Sequence, residues 1–136
     1  MGNIRVEGKK LIYQRKDELT IIEPYGMNCL RCRSTKNSKI LDENWTVLPP
    51  ATADDCHIEC DGRFATITNG AMKATIDAGQ IWYGGIITYF KKDTPVLHTR
   101  FEGDYSNRNQ HIEGDHYKIS VIFDANEGEH FYGMGQ

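Results

Sequence analysis

The sequence lacks any apolar run longer than a few residues. It therefore has neither the stretch of about 20 that crosses a bilayer as a helix nor the roughly 7–15-residue apolar segment of an export signal. Its first twenty residues instead carry Arg5, Glu7, Lys9, Lys10, Arg15, Lys16, Asp17 and Glu18. It also lacks a basic excess, since 16 Lys and Arg against 19 Asp and Glu give a net charge of −3. Neither a nucleic acid nor an anionic membrane surface finds the field it needs there. No Gly-x-Ser-x-Gly, phosphate loop or dinucleotide fingerprint is present, which removes the commonest hydrolase and nucleotide signatures. Helical periodicity is missing as well: the best window, Ser38 to Trp45, has room for one turn. No repeat or low-complexity tract appears. These absences leave a cytoplasmic domain with no nucleic-acid or membrane partner.

What is present has a period of two. Tyr117, Ile119, Val121 and Phe123 alternate with Lys118, Ser120, Ile122 and Asp124, the pattern of a half-buried strand. Met72, Ala74 and Ile76 alternate with Lys73, Thr75 and Asp77, and Phe64 to Thr68 precedes them. Between the two runs, Asn69-Gly70 predicts a tight hairpin with those two residues at its turn. Shorter β-rich runs occupy Lys10 to Arg15, Glu18 to Glu23, Cys29 to Ser34, Gln80 to Tyr83, Ile86 to Phe90 and Val96 to Phe101. Turn residues separate them at Pro24-Tyr25-Gly26, Asp61-Gly62, Ala78-Gly79, Gly84-Gly85 and Asp93-Thr94-Pro95. Eight to ten short strands at this spacing predict an all-β antiparallel sandwich in a single domain over residues 1–136. Two stretches read as loops, Pro49 to Asp55 and Glu102 to His116, and loops as long as the second tend to be functional. Phe131 to Gln136 reads as the opening of a further strand.

Candidate chemistry is sparse. Cys29-x2-Cys32 and Cys56-x3-Cys60 superficially resemble a four-thiolate zinc site. A spacing of three on a strand points the first two thiols to opposite faces, and a strand holds the second two roughly 13 Å apart. Buried or half-buried free thiols, and no metal, are the expectation. His98, His111, His116 and His130 are scattered and read as solvated loop residues. Glu102 with Asp104, or Glu113 with Asp115, could supply an acid and a base, but acidic residues in such a loop also serve turns and solubility. The aromatics Trp45, Trp82, Tyr83, Tyr89, Phe90, Tyr105, Tyr117, Phe131 and Tyr132 read mostly as core, with room for a sugar-stacking platform among them.

Three segments stand out: Ile22-Glu23-Pro24-Tyr25-Gly26 leading to Leu30-Arg31-Cys32-Arg33-Ser34; Asp42-Glu43-Asn44-Trp45-Thr46-Val47-Leu48; and Gly128-Glu129-His130-Phe131-Tyr132-Gly133-Met134-Gly135-Gln136. Together they resemble the N-terminal β-sandwich of glycoside hydrolase family 31, the α-glucosidases and α-xylosidases. The last segment is similar to the family's Tyr-Gly-x-Gly-(Glu or Gln) signature. Cys32 stands where the family usually carries a small aliphatic residue.

The resemblance implies a galactose-mutarotase-like sandwich lacking its last strands, with the family's catalytic (β/α)8 barrel outside this chain. It implies a parent α-glycosidase that hydrolyses an oligosaccharide with a terminal α-glucosyl or α-xylosyl unit, with retention and without a cofactor. This chain would then hold no catalytic residue. It would pack on the barrel and wall the outer sugar subsites, where Asp104, Tyr105 and Arg108 offer an acceptor, a stacking ring and a bidentate donor. Other readings are a free-standing carbohydrate-binding module and a purely structural sandwich. An open strand edge at 131–136 predicts association into a homodimer.

Overall fold

The computed structural model describes residues 2–15, 18–43, 55–79, 86–98, 108–113, 116–121, 127–128 and 130. Eleven strands and no helix occupy them: β1 (Asn3–Glu7), β2 (Lys10–Arg15), β3 (Glu18–Pro24), β4 (Leu30–Thr35), β5 (Cys56–Cys60), β6 (Phe64–Asn69), β7 (Met72–Asp77), β8 (Ile86–Lys91), β9 (Thr94–His98), β10 (Arg108–Glu113) and β11 (His116–Val121). They form a four-stranded meander β1-β2-β3-β4, a five-stranded meander β5-β6-β7-β8-β9 and a hairpin β10-β11, all antiparallel. The two larger sheets face each other, with β1 against β5, β3 against β6 and β4 against β7. This is the expected antiparallel sandwich.

Alternation explains the core. Ile4, Leu11, Tyr13 and Ile22 project from the first sheet to meet Ala65, Ile67, Ala74, Ile76 and Ile87 of the second. Across neighbouring strands large faces small: Ala65 pairs with Ile76, and Ile67 with Ala74, which pairs in turn with Tyr89. Such pairing suits close packing in a layer about 10 Å thick. The first sheet also buries Ile12 and Leu19 on its other face. Ile12 lies there in a cross-strand row between Arg5 and Ile21.

One end of the sandwich is tied together by side-chain amides. Asn69 is 1% exposed and donates from Nδ2 to the carbonyls of Gly26 and Cys29, each at 2.7 Å. Asn28 Oδ1 accepts from the Ala71 amide at 2.6 Å, and Lys92 N donates to Ala71 O at 2.6 Å. The β3–β4, β6–β7 and β8–β9 connections are thereby joined. Gly70 has φ +58°, and a Cβ there would fall on the Asn28 side-chain oxygen, so both backbone and packing demand glycine.

Several expectations need correction. Asn69 pairs with Met72, so the β6–β7 turn is Gly70-Ala71 and Asn69 closes the strand; the two carbonyls to which its buried amide donates hold it there. Thr94 and Pro95 belong to β9, after a turn at Lys92-Asp93. Proline is tolerated because β9 ends the sheet order and a bulge at Tyr89/Phe90 disturbs the ladder. The supposed loop Glu102 to His116 contains β10, whose Arg108-Asn109-Gln110-His111-Ile112-Glu113 shows no apolar alternation and is built on pairing with β11. Strand β1, where Ile4 and Val6 alternate with Asn3, Arg5 and Glu7, lies outside the runs expected above, and no helical turn occurs over 38–43. The runs Gln80 to Tyr83 and Phe131 to Gln136, with the edge and dimer expected from the latter, lie outside the described residues, as does most of Pro49 to Asp55.

Replacing Asn69 by Ala should lower stability by about 1–3 kcal/mol, the cost of removing two part-buried hydrogen bonds and leaving the Gly26 carbonyl without this donor. Cys29 O keeps its bond from Tyr25 N, which sets the range for one orphaned group. Urea unfolding checks it, with Thr68→Ala on the opposite face as the near-neutral reference.

Candidate functional site

Of the three residues assigned to sugar contact, Asp104 and Tyr105 lie outside the described residues. Arg108 opens β10 opposite Val121. Of the acid–base candidates, Glu113 closes β10 opposite His116, while Glu102 and Asp115 fall outside. Among the histidines, His98 pairs with Thr88 and His111 with Lys118, on separate sheets rather than in one loop. No group of three His, Cys, Asp or Glu among the described residues is close enough to hold a metal ion.

The densest polar constellation lies on the face of the first sheet turned away from the core. Glu23 is only 6% exposed, and its Oε1 accepts from Arg31 Nε at 2.9 Å and from Arg33 Nη2 at 2.6 Å. Lys10 Nζ stands 3.5 Å from Oε2. Asp42, largely exposed, lies 3.3 Å from Arg33 and 3.6 Å from Arg31. Arg33 Nη1 also donates to Leu41 O at 3.0 Å, while Arg31 stacks 4.3 Å above the Tyr25 ring. The Arg-x-Arg spacing explains this arrangement: residues two apart on a strand share a face, so both guanidinium groups reach the same carboxylate on the neighbouring strand. Arg33 Nε is buried without a hydrogen-bond partner. The cluster joins β2, β3, β4 and the 36–43 segment, and its pairing is structural: Glu23 has its acceptor oxygens committed.

A second constellation surrounds the β5–β6 connection. Glu59, Cys60, Asp61, Phe64 and Thr66 line an open cleft of about 310 Å³. Glu59 and Thr66 are cross-strand partners, and Phe64 shares a face of β6 with Thr66. Asp61 Oδ1 accepts from the amides of Arg63 and Phe64 at 2.8 and 2.6 Å, and Asp61 N donates to Phe64 O at 3.0 Å. Those two amides hold the Asp61 carboxyl below its ordinary pKa. Phe64 remains 46% exposed. Sequence pattern places it only within a strand; the available signal is a phenyl ring two residues after Gly62, on the strand face otherwise occupied by Thr66 and Thr68.

The thiols are free, as expected, but Cys29, Cys32 and Cys60 are exposed rather than buried. Cys29 precedes β4, and Cys32 and Cys60 lie toward strand or sheet ends where core cover thins. Cys56 alone is half-buried, and burial raises its pKa against the weaker opposing pull of Lys9.

No family model matches the chain, and no curated protein matches it. The fold defines the class, an antiparallel β-sandwich. A crystal structure of a GH31 α-xylosidase from a soil metagenome, complexed with xylose, superposes with a TM-score of 0.79 at 19% identity. The match covers 92% of this chain and 21% of that one, so the chain spans about a fifth of that protein's length. Similarity at this level establishes the shared sandwich.

Two outcomes follow. Glu23→Ala should cost about 3–5 kcal/mol because it strands two half-buried guanidinium groups, whereas Asp42→Ala should cost under about 1 kcal/mol; urea unfolding compares them. In an acid titration followed by NMR, the Arg63 and Phe64 amides should shift with a midpoint below the ordinary aspartate value. The bonds that depress the Asp61 pKa contribute fully above its unfolded value and are lost as pH falls through the folded one.

Proposed function

We propose that this chain is the N-terminal β-sandwich of a cytoplasmic family 31 α-glycosidase, non-catalytic by itself. The single observation that carries the reading is the superposition of 92% of the chain on part of a GH31 α-xylosidase. The three sequence segments that resemble the family support it independently. Hydrolysis in the parent belongs to two carboxylates of a (β/α)8 barrel outside this chain, working through a covalent glycosyl intermediate with retention. The sandwich packs on that barrel and walls the outer subsites for an oligosaccharide ending in an α-glucosyl or α-xylosyl unit. Asp104, Tyr105 and Arg108 make the sugar contacts, and the chain associates as a homodimer when the barrel is absent.

The parent protein should hydrolyse 4-nitrophenyl α-xyloside or α-glucoside, and residues 1–136 alone should not. Turnover by the isolated chain above a blank, abolished by Asp104→Ala, would overturn the assignment. In the parent, Tyr105→Ala should raise KM for an oligosaccharide several-fold while leaving kcat on the aryl glycoside unchanged, since that substrate does not reach an outer subsite. Sedimentation of the isolated chain at rising concentration tests the dimer.

A further inference from the structure

We infer that the cleft at the β5–β6 connection, formed by Glu59, Cys60, Asp61, Phe64 and Thr66, is a surface binding site for a neutral pyranose unit. Its volume of about 310 Å³ is at the lower end of ligand-sized pockets and suits one or two sugar rings.

The lining selects the ligand by chemistry. A phenyl ring 46% exposed presents an apolar face on which the C–H face of a pyranose can stack, and burying it recovers apolar area now facing water. Glu59 and Asp61 surround it with acceptors. Glu59 Oε1 is engaged with His57 Nε2 at 3.2 Å and Asp61 Oδ1 with two amides, so each carboxylate keeps a second oxygen for a sugar hydroxyl. Thr66 can donate or accept. Among the described residues no Lys or Arg lines the cleft, which disfavours phosphorylated or carboxylated ligands. The nearest cation in sequence, Arg63, lies instead against the Gly79 backbone.

The platform is also rigid before any ligand arrives. Phe64 is held from both sides of its peptide, its N–H by Asp61 Oδ1 and its C=O by Asp61 N. Ala78 N further donates to Arg63 O at 2.8 Å, anchoring the turn to the end of β7. A backbone held in this way loses little freedom on binding, which favours affinity. This inference rests on the carbohydrate reading above only for the choice of a sugar over other neutral polyols.

The test uses residues 1–136 and amide NMR with xylotriose and maltotriose. Shifts confined to residues 59–66 with a roughly millimolar constant are expected. Phe64→Ala should weaken binding about tenfold, Phe64→Trp should retain or tighten it, and Val6→Ala on the other sheet should leave it unchanged. Bound sugar should also slow alkylation of Cys60 relative to Cys29. No shift at these residues at about 50 mM sugar, well above a millimolar constant, would overturn the site. So would tetramethylammonium displacing the sugar at equal concentration, which would make it a cation site. Because binding is read without turnover, its failure leaves the glycosidase assignment standing, and an inactive parent leaves the binding result standing.

Discussion

The amide of Asn69, donating to two carbonyls of the opposite sheet, is the contact on which the alignment of the two sheets depends. Apolar packing is non-directional and would tolerate small slides of one layer over the other. A buried amide facing two carbonyls does not, because a displacement of an ångström or two leaves the Asn69 amide, itself 1% exposed, without its partners. The neighbouring bonds from Ala71 to Asn28 and from Lys92 to Ala71 extend the constraint to three connections. With that end closed, the large-against-small pairing of Ala65 with Ile76 and Ile67 with Ala74 meets the first sheet in one register only.

Charge is arranged in the same spirit on the other side of the first sheet. Burying Glu23 with Arg31 and Arg33 costs desolvation that the mutual attraction roughly offsets. Its effect is therefore more on specificity than on net stability. It ties the 36–43 segment to β4 through Leu41 and Asp42. The residues of this cluster carry much of the resemblance to family 31, yet their local role is architectural. A motif shared with an enzyme family need not be part of its active site.

The cleft at the turn between β5 and β6 is likewise peripheral to the core. Loops carried on a rigid sandwich are where binding groups can change without disturbing packing. Asp61 illustrates the economy of such a turn, since one carboxylate shapes the backbone with one oxygen and offers the other to solvent.

The sequence by itself determined the class of fold. Alternation in β6, β7 and β11 and the turn residues between strands are local properties, and strand pairing follows from them. β2 and β3 were equally readable, although both bury residues on two faces. It did not reveal β10, whose polar residues take strand form through pairing with β11, whereas the alternation of Ile4 and Val6 with Arg5 and Glu7 marks β1 in the sequence itself. Nor could it distinguish Asn69 as a buried donor from Asn69 as a turn residue. Asn-Gly is compatible with both, and the choice depends on carbonyls 40 and 43 residues away. The exposure of Phe64 and the shared carboxylate of Arg31 and Arg33 are likewise decided by what lies across the strand or at the sheet's end. Burial and hydrogen-bond partnership are properties of neighbours in space, so only the tertiary structure could assign them.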